Sequence, residues 1–260
     1  MKVILSRKGF DSSNGGCPSP IMPDGTLLSM PIPSDYDKDT FDGLQYNGYT
    51  YSEILKQLKP SKVYDRCHVD PDIREGNRIK VIPGWKPAFG QINAAQGLLR
   101  NAGVGKGDLF LFFGWFRKTE YRNGRLHFIS GHSTDVHIIY GYMEIGDVVT
   151  HKQDIAEYSW HPHASYTSCT NAIYIPADRS SLDGAKKGYG TLDYREDRVL
   201  TLNGCNRGTW KELPFLMPEH IYGNKKNSAQ GKGLYYSGIW QELVINDSPG
   251  LTEWARSVIM

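Results

Sequence analysis

The sequence predicts an α+β fold: a single domain on a mixed, mostly antiparallel sheet or a small β-barrel, with a few short helices. The chain has 260 residues, 39% of them hydrophobic, which suits one large domain with a sizeable core. Glycine and tyrosine are abundant, at 28 and 16 residues, while sustained helical periodicity is scarce. Short apolar runs bounded by turn residues recur along the chain, with no fixed-period repeat, no coiled-coil pattern and no clean linker.

The first run, Met1 to Leu5, reads as a short buried strand. It opens onto Ser6–Pro33, the stretch around which the chain is organised. Ser6, Arg7, Lys8 and Asp11 are followed there by Ser12, Ser13, Asn14, Gly15 and Gly16. These residues make an ordinary polar loop, or they make one wall of a ligand pocket. Two cations and a glycine-rich backbone suit an anion, with Ser6 and Asp11 as polar partners. Pro31-Ile32-Pro33 is extended because each proline fixes its own φ and restricts its neighbour. The stretch from Ser34 to Asn47 is acidic and irregular. Tyr51–Leu58 predicts a helix with Ile54, Leu55 and Leu58 on one stripe, stopped by Pro60.

In Cys67-His68-Val69-Asp70-Pro71-Asp72, alternation places His68, Asp70 and Asp72 on one face of an extended segment. One imidazole and two carboxylates could hold a divalent ion or supply an acid/base pair; the other reading is a solvated turn. Gln91–Asn101 predicts a helix ended by Gly103. Leu109–Phe113 is the most apolar run and reads as a buried strand, with Phe110 and Phe112 in the core. Gly114 then allows a bend, so that Trp115 stands at a pocket rim beside Phe116 and Arg117, or else packs inside. Asn123-Gly124 marks a hairpin turn. Val136–Ile145 is a second core strand, containing Tyr140 and Tyr142. His161-Pro162-His163 is a rigid surface loop, or a pair of pocket donors or metal ligands. Asn171–Pro176 is again a strand. Further on lie Val199–Leu202, a proline-bounded apolar stretch at 210–218, a basic loop at 225–233, and a strand or helix at 234–245.

Net charge is +2, so no whole-chain basic field drives non-specific nucleic-acid binding, although a local patch stays open. Four cysteines, Cys17, Cys67, Cys169 and Cys205, form no C-x-x-C pair, which fits reduced thiols and a cytoplasmic protein. No leader-like apolar segment is present, and no stretch approaches the length of a membrane span. None of G-x-S-x-G, H-E-x-x-H or a phosphate-loop lysine appears.

The opening SRKGFDS…GG.PSPI.PDG, the His-x-Asp-Pro-Asp segment, GVGKGDLFLFFGWFR and HIIYGYMEIG, in that order, resemble one family. It is the third class of nucleotide-modification-associated domains, grouped with phage and bacterial DNA base-modification systems. The resemblance spans roughly residues 1–176, with 177–260 as a C-terminal extension of the same domain. It implies a nucleic-acid or modified-nucleotide connection and names no reaction. A weaker similarity is to small β-barrels of the PUA and EVE type, in the Gly-Asp-Leu-Phe turn into a buried strand and the later Tyr-Gly-Tyr. Those domains read a base turned out of the stack, so Trp115, Phe116 and Tyr142 would form an aromatic floor, while Ser6, Arg7 and Asp11 read edges or phosphate.

Two functional expectations follow. The first is recognition of a modified nucleotide or of DNA, in base modification or phage–host conflict, through Ser6, Arg7, Lys8, Gly15, Gly16, Trp115, Tyr142, His161 and His163. The second is a nucleotide- or DNA-directed hydrolase or glycosylase using Asp11, His68 and Asp70, metal-assisted or not. His132 and Asp135 add to the density of such groups. The sequence assigns no cofactor, names no metal and identifies no protein partner.

Overall fold

The opening apolar run forms β1 (Val3–Arg7), an interior strand in a computed structural model that describes residues 1–131, 134–223, 234–236, 238 and 240–260. His132 and the basic loop at 225–233 therefore lie outside the described residues. After the glycine-rich loop the chain returns as β2 (Ser19–Ile21), followed by β3 (Ile32–Pro33), β4 (Gln45–Tyr46) and β5 (Tyr49–Thr50). Helix α1 (Tyr51–Leu58) matches the sequence expectation; Thr50 and Glu53 cap its N-terminus reciprocally. Then come β6 (Cys67–His68), β7 (Phe89–Gln91) and α2 (Asn93–Asn101).

The two longest strands are β8 (Leu109–Arg122) and β10 (Asp135–Val149), with β9 (Arg125–Phe128) between them. Both run past the apolar stretches that announce them, into C-terminal ends that are less buried. Asn123 and Gly124 turn β8 into β9 with φ of 50° and 73°, the left-handed conformation that the Asn-Gly pair tolerates. Helix α3 (Lys152–Ala156), β11 (Ala172–Pro176), β12 (Tyr189–Thr191), β13 (Thr209–Trp210), β14 (Leu234–Tyr235), β15 (Glu242–Ile245) and α4 (Leu251–Ile259) complete the chain. The 234–245 stretch thus resolves into two short strands.

Nine strands form one curled sheet with the path β15-β1-β8-β10-β11-β7, and β2, β9 and β12 extend it off that path. β1 runs parallel to β8, as does β2; the other pairs are antiparallel. Mixed and mostly antiparallel pairing is therefore what forms. The curl gives a half-barrel whose path keeps two ends, β15 and β7. β15 pairs with β1, so the C-terminal third builds part of the same sheet.

Alternation divides the core. Leu109, Leu111 and Phe113 face α4, through Leu251, Ala255 and Val258, while Phe110 and Phe112 face Phe89, Tyr174 and Leu99 of α2. On β10 the register shifts between Ile139 and Gly141, which puts Ile139 and Tyr142 on one face although they are three apart. A third core joins α1 to the opening loop through Phe10, Met30, Phe41 and Tyr51.

Two aromatic expectations are corrected by this packing. Phe116 is fully buried beside Tyr140 rather than at a pocket rim. Tyr142 is turned by the β10 register shift into the core shared with Leu182 and Leu192, and its hydroxyl donates to the Lys187 carbonyl at 3.1 Å.

Candidate functional site

The ends of β1, β6 and β7 open onto a cavity of about 380 Å³. Arg7, Lys8 and Asp11 line it from the opening loop, His68 and Asp70 from the strand end with His163 and Tyr166 beside them, and Gln91 from β7. The two segments singled out in the sequence thus face one space.

Asp70 lies at the centre of its polar wall. Its Oδ1 accepts from the Gly90 N–H at 2.8 Å and lies 3.3 Å from His161 Nε2. Its Oδ2 lies 4.0 Å from His68 Nε2 and 4.0 Å from His163 Nε2. Burial acts to raise the Asp70 carboxyl, but His161, His163 and His68 outweigh it and hold it well below the ordinary carboxylate range. Each imidazole is fixed from behind. His68 Nδ1 donates to Asp37 Oδ2 at 2.9 Å, and the Tyr166 ring lies parallel to the imidazole. His163 Nδ1 pairs with Asn171 Oδ1 at 2.9 Å, and Asn171 Nδ2 donates to the His163 carbonyl. Burial pushes His163 down to about 4, so its ring is neutral near pH 7.

Gly90 explains how the wall closes. A Cβ there would stand 2.2 Å from His163 Cγ, so only glycine lets β7 approach the ring while its N–H holds Asp70. Beneath the cavity, Glu242 of β15 collects Lys8 Nζ at 3.0 Å, the Ser6 hydroxyl at 3.0 Å and Gln91 Nε2 at 2.6 Å. Burial pushes the Glu242 carboxyl up, against the pull of Lys8 and these hydrogen bonds. Because β15 and β7 are the two ends of the sheet path, this pairing joins the open edges of the half-barrel.

The remaining expected residues are placed as follows. Ser6 is fully buried under the cavity, and Lys8 reaches it only beside its Glu242 partner. Asp11 lines the cavity, yet its Oδ1 accepts the backbone N–H groups of Ser13 and Asn14 and so shapes its own loop. Gly15 and Gly16 lie off the cavity; both have positive φ, and Gly15 seats the Phe10 ring. Asp72 does not share the His68–Asp70 face. It turns inward, where Arg78 and the Trp85 indole hold its carboxylate. Trp115 is partly buried and lines neither cavity; the Arg207 guanidinium 4.1 Å above its ring lines a second cleft of about 530 Å³. Arg7 lines both spaces.

Sequence reading missed Asp37, Tyr166, Asn171, Gln91 and Glu242. Asp37 sat unremarked among four aspartates of the acidic stretch. No local pattern ties the others to the histidines they serve.

A model of the family described as nucleotide modification associated domain 3 matches residues 2–246, well beyond the 1–176 over which the resemblance is read. No curated protein and no solved structure matches the chain.

Proposed function

We propose, because the chain belongs to the nucleotide modification associated domain 3 family, that the 380 Å³ cavity receives a nucleotide or a modified base of DNA. The observation that carries this reading is the shared cavity itself, which Arg7 lines together with the imidazole–carboxylate wall of His68, Asp70 and His163. Arg7 anchors the phosphate. Its nearest carboxylate contact, to Asp11, is a loose 3.9 Å, which leaves its fork of donors for a bidentate anion. Tyr166 and His68, with parallel rings, supply a flat surface at the cavity wall against which a base can lie. The four cysteines are free thiols, which agrees with a cytoplasmic setting in DNA modification or phage–host conflict.

Calorimetry with mono- and dinucleotides and modified nucleosides tests the reading. Arg7→Ala should weaken phosphate-bearing ligands roughly 10- to 100-fold, from a charge-assisted contact of about 1.5–3 kcal/mol. The melting temperature should stay near that of the wild type. Equal affinity of Arg7→Ala and wild type for every ligand that binds would sink it.

Convergence of His68, Asp70 and His163 favours a second reading, catalysis on that ligand as a hydrolase or glycosylase. Mass spectrometry of modified and unmodified DNA after incubation distinguishes it, since recognition alone leaves the substrate mass unchanged.

A further inference from the structure

The three groups that face one another at the centre of the wall are all acceptors. His68 Nδ1 is spent as a donor, because its partner Asp37 is a carboxylate. A neutral His68 therefore points a lone pair from Nε2. The same argument holds for His163. Asn171 Nδ2 is committed to the His163 carbonyl, so Asn171 presents its oxygen, and His163 Nδ1 must carry the proton. His163 Nε2 also points a lone pair. Both face Asp70 Oδ2, itself an anionic acceptor, at 4.0 Å. His68 Nε2, His163 Nε2 and a carboxylate oxygen of Asp70 all lie within 4.8 Å of one another.

Three acceptors directed at one point in a largely buried wall repel each other unless a positive charge sits among them. A gap of 4.0 Å is too long for hydrogen bonds. Two metal–ligand bonds of about 2.0–2.2 Å that meet at a tetrahedral angle span about 3.3–3.6 Å, so these atoms stand slightly wider than a bound ion requires and close on it by a small inward shift. The supporting contacts are those a metal site needs. Asp37 backs His68, Asn171 backs His163, and the Gly90 N–H with His161 fixes Asp70 Oδ1 so that Oδ2 points inward. His161 belongs to this support: its Nδ1 accepts from the His163 N–H, leaving Nε2 turned toward Asp70. Its side chain is fully buried, and Nε2 stands 3.3 Å from Asp70 Oδ1.

We propose that His68 Nε2, Asp70 Oδ2 and His163 Nε2 bind one divalent transition-metal ion. Two imidazoles and one carboxylate suit manganese, iron, cobalt or zinc, whereas magnesium and calcium prefer all-oxygen sets. Three protein ligands leave coordination positions open, and they open onto the cavity that Arg7 and Tyr166 also line. The site stands on the acceptor geometry alone and holds whether or not the cavity takes a nucleotide.

The test uses the full chain without nucleotide, so its failure is separate from that of the binding reading. Chelator-stripped protein is titrated with Co(II) and followed by its visible absorption, with metal content measured by mass spectrometry. About one equivalent should bind, and excess Mg(II) should not displace it. His68→Ala, His163→Ala and Asp70→Asn should each weaken Co(II) at least tenfold. Asp37→Asn, which keeps every ligand, should weaken it 10- to 100-fold. His151→Ala, at an exposed histidine outside the cluster, should bind as the wild type does. Absence of saturable Co(II) binding by folded wild type overturns the proposal and needs no variant. Wild-type affinity in folded Asp70→Asn and His163→Ala overturns it equally.

Discussion

Gly90 shows how much of the site rests on a single missing atom. Its φ is not in the left-handed region, so backbone conformation does not require glycine; the His163 ring does, by occupying the place of a Cβ. Gly90→Ala should push the imidazole away from Asp70 and weaken Co(II) at least tenfold. Crowding of this kind costs about 1–3 kcal/mol, so the melting temperature should fall while far-UV circular dichroism stays native. Unchanged Co(II) affinity in a folded Gly90→Ala would show that the ring finds another seat. At this scale the sequence was partly legible. His68 and Asp70 stood out because alternation and an Asp-Pro step are local features. His163 stood out from its His-Pro-His setting. The groups that orient them could not be read, because Asp37 reaches His68 across 31 residues and Asn171 is an unremarkable strand-start residue.

Elements were legible where their pattern was complete. Helix α1, the apolar halves of β8 and β10, the Asn-Gly hairpin and β11 form where periodicity and turn chemistry placed them. What escaped was direction within an element. Tyr142 changes face through a register shift that leaves no mark in a nearly continuous apolar run. Asp72 leaves the His68–Asp70 face for a buried pairing with Arg78, which also binds Asp39 through Nε and Nη2 at 2.9 and 2.7 Å. That pairing ties the segment after Pro71 to the acidic stretch beside Asp37. Removing one partner of a buried pair strands the other, at about 3–5 kcal/mol. Arg78→Ala should therefore lower the urea midpoint by a matching amount and loosen Asp70 indirectly. A midpoint within error of the wild type would show that water replaces the guanidinium.

Across the whole molecule, the α+β class and mixed sheet followed from composition and apolar runs, but the curl did not. No local residue pattern says that β15 and β7 approach closely enough for Gln91 to donate to Glu242. Glu242→Ala should strand the Lys8 ammonium in the core and cost about 3–5 kcal/mol, read by chemical denaturation; full recovery in Glu242→Ala combined with Lys8→Met would show that the charge, not the packing, was at stake. The same pairing also sets a clock. β1 leaves the ribosome long before its neighbour β15, and the counter-ion of Lys8 comes 234 residues later. During synthesis β1 can dock on β8 but must wait with one edge bare, so the nascent chain holds an unpaired strand for most of its elongation. Chains stalled before Glu242 should stay open to protease in the β1 region, and protection should arrive abruptly once β15 has emerged.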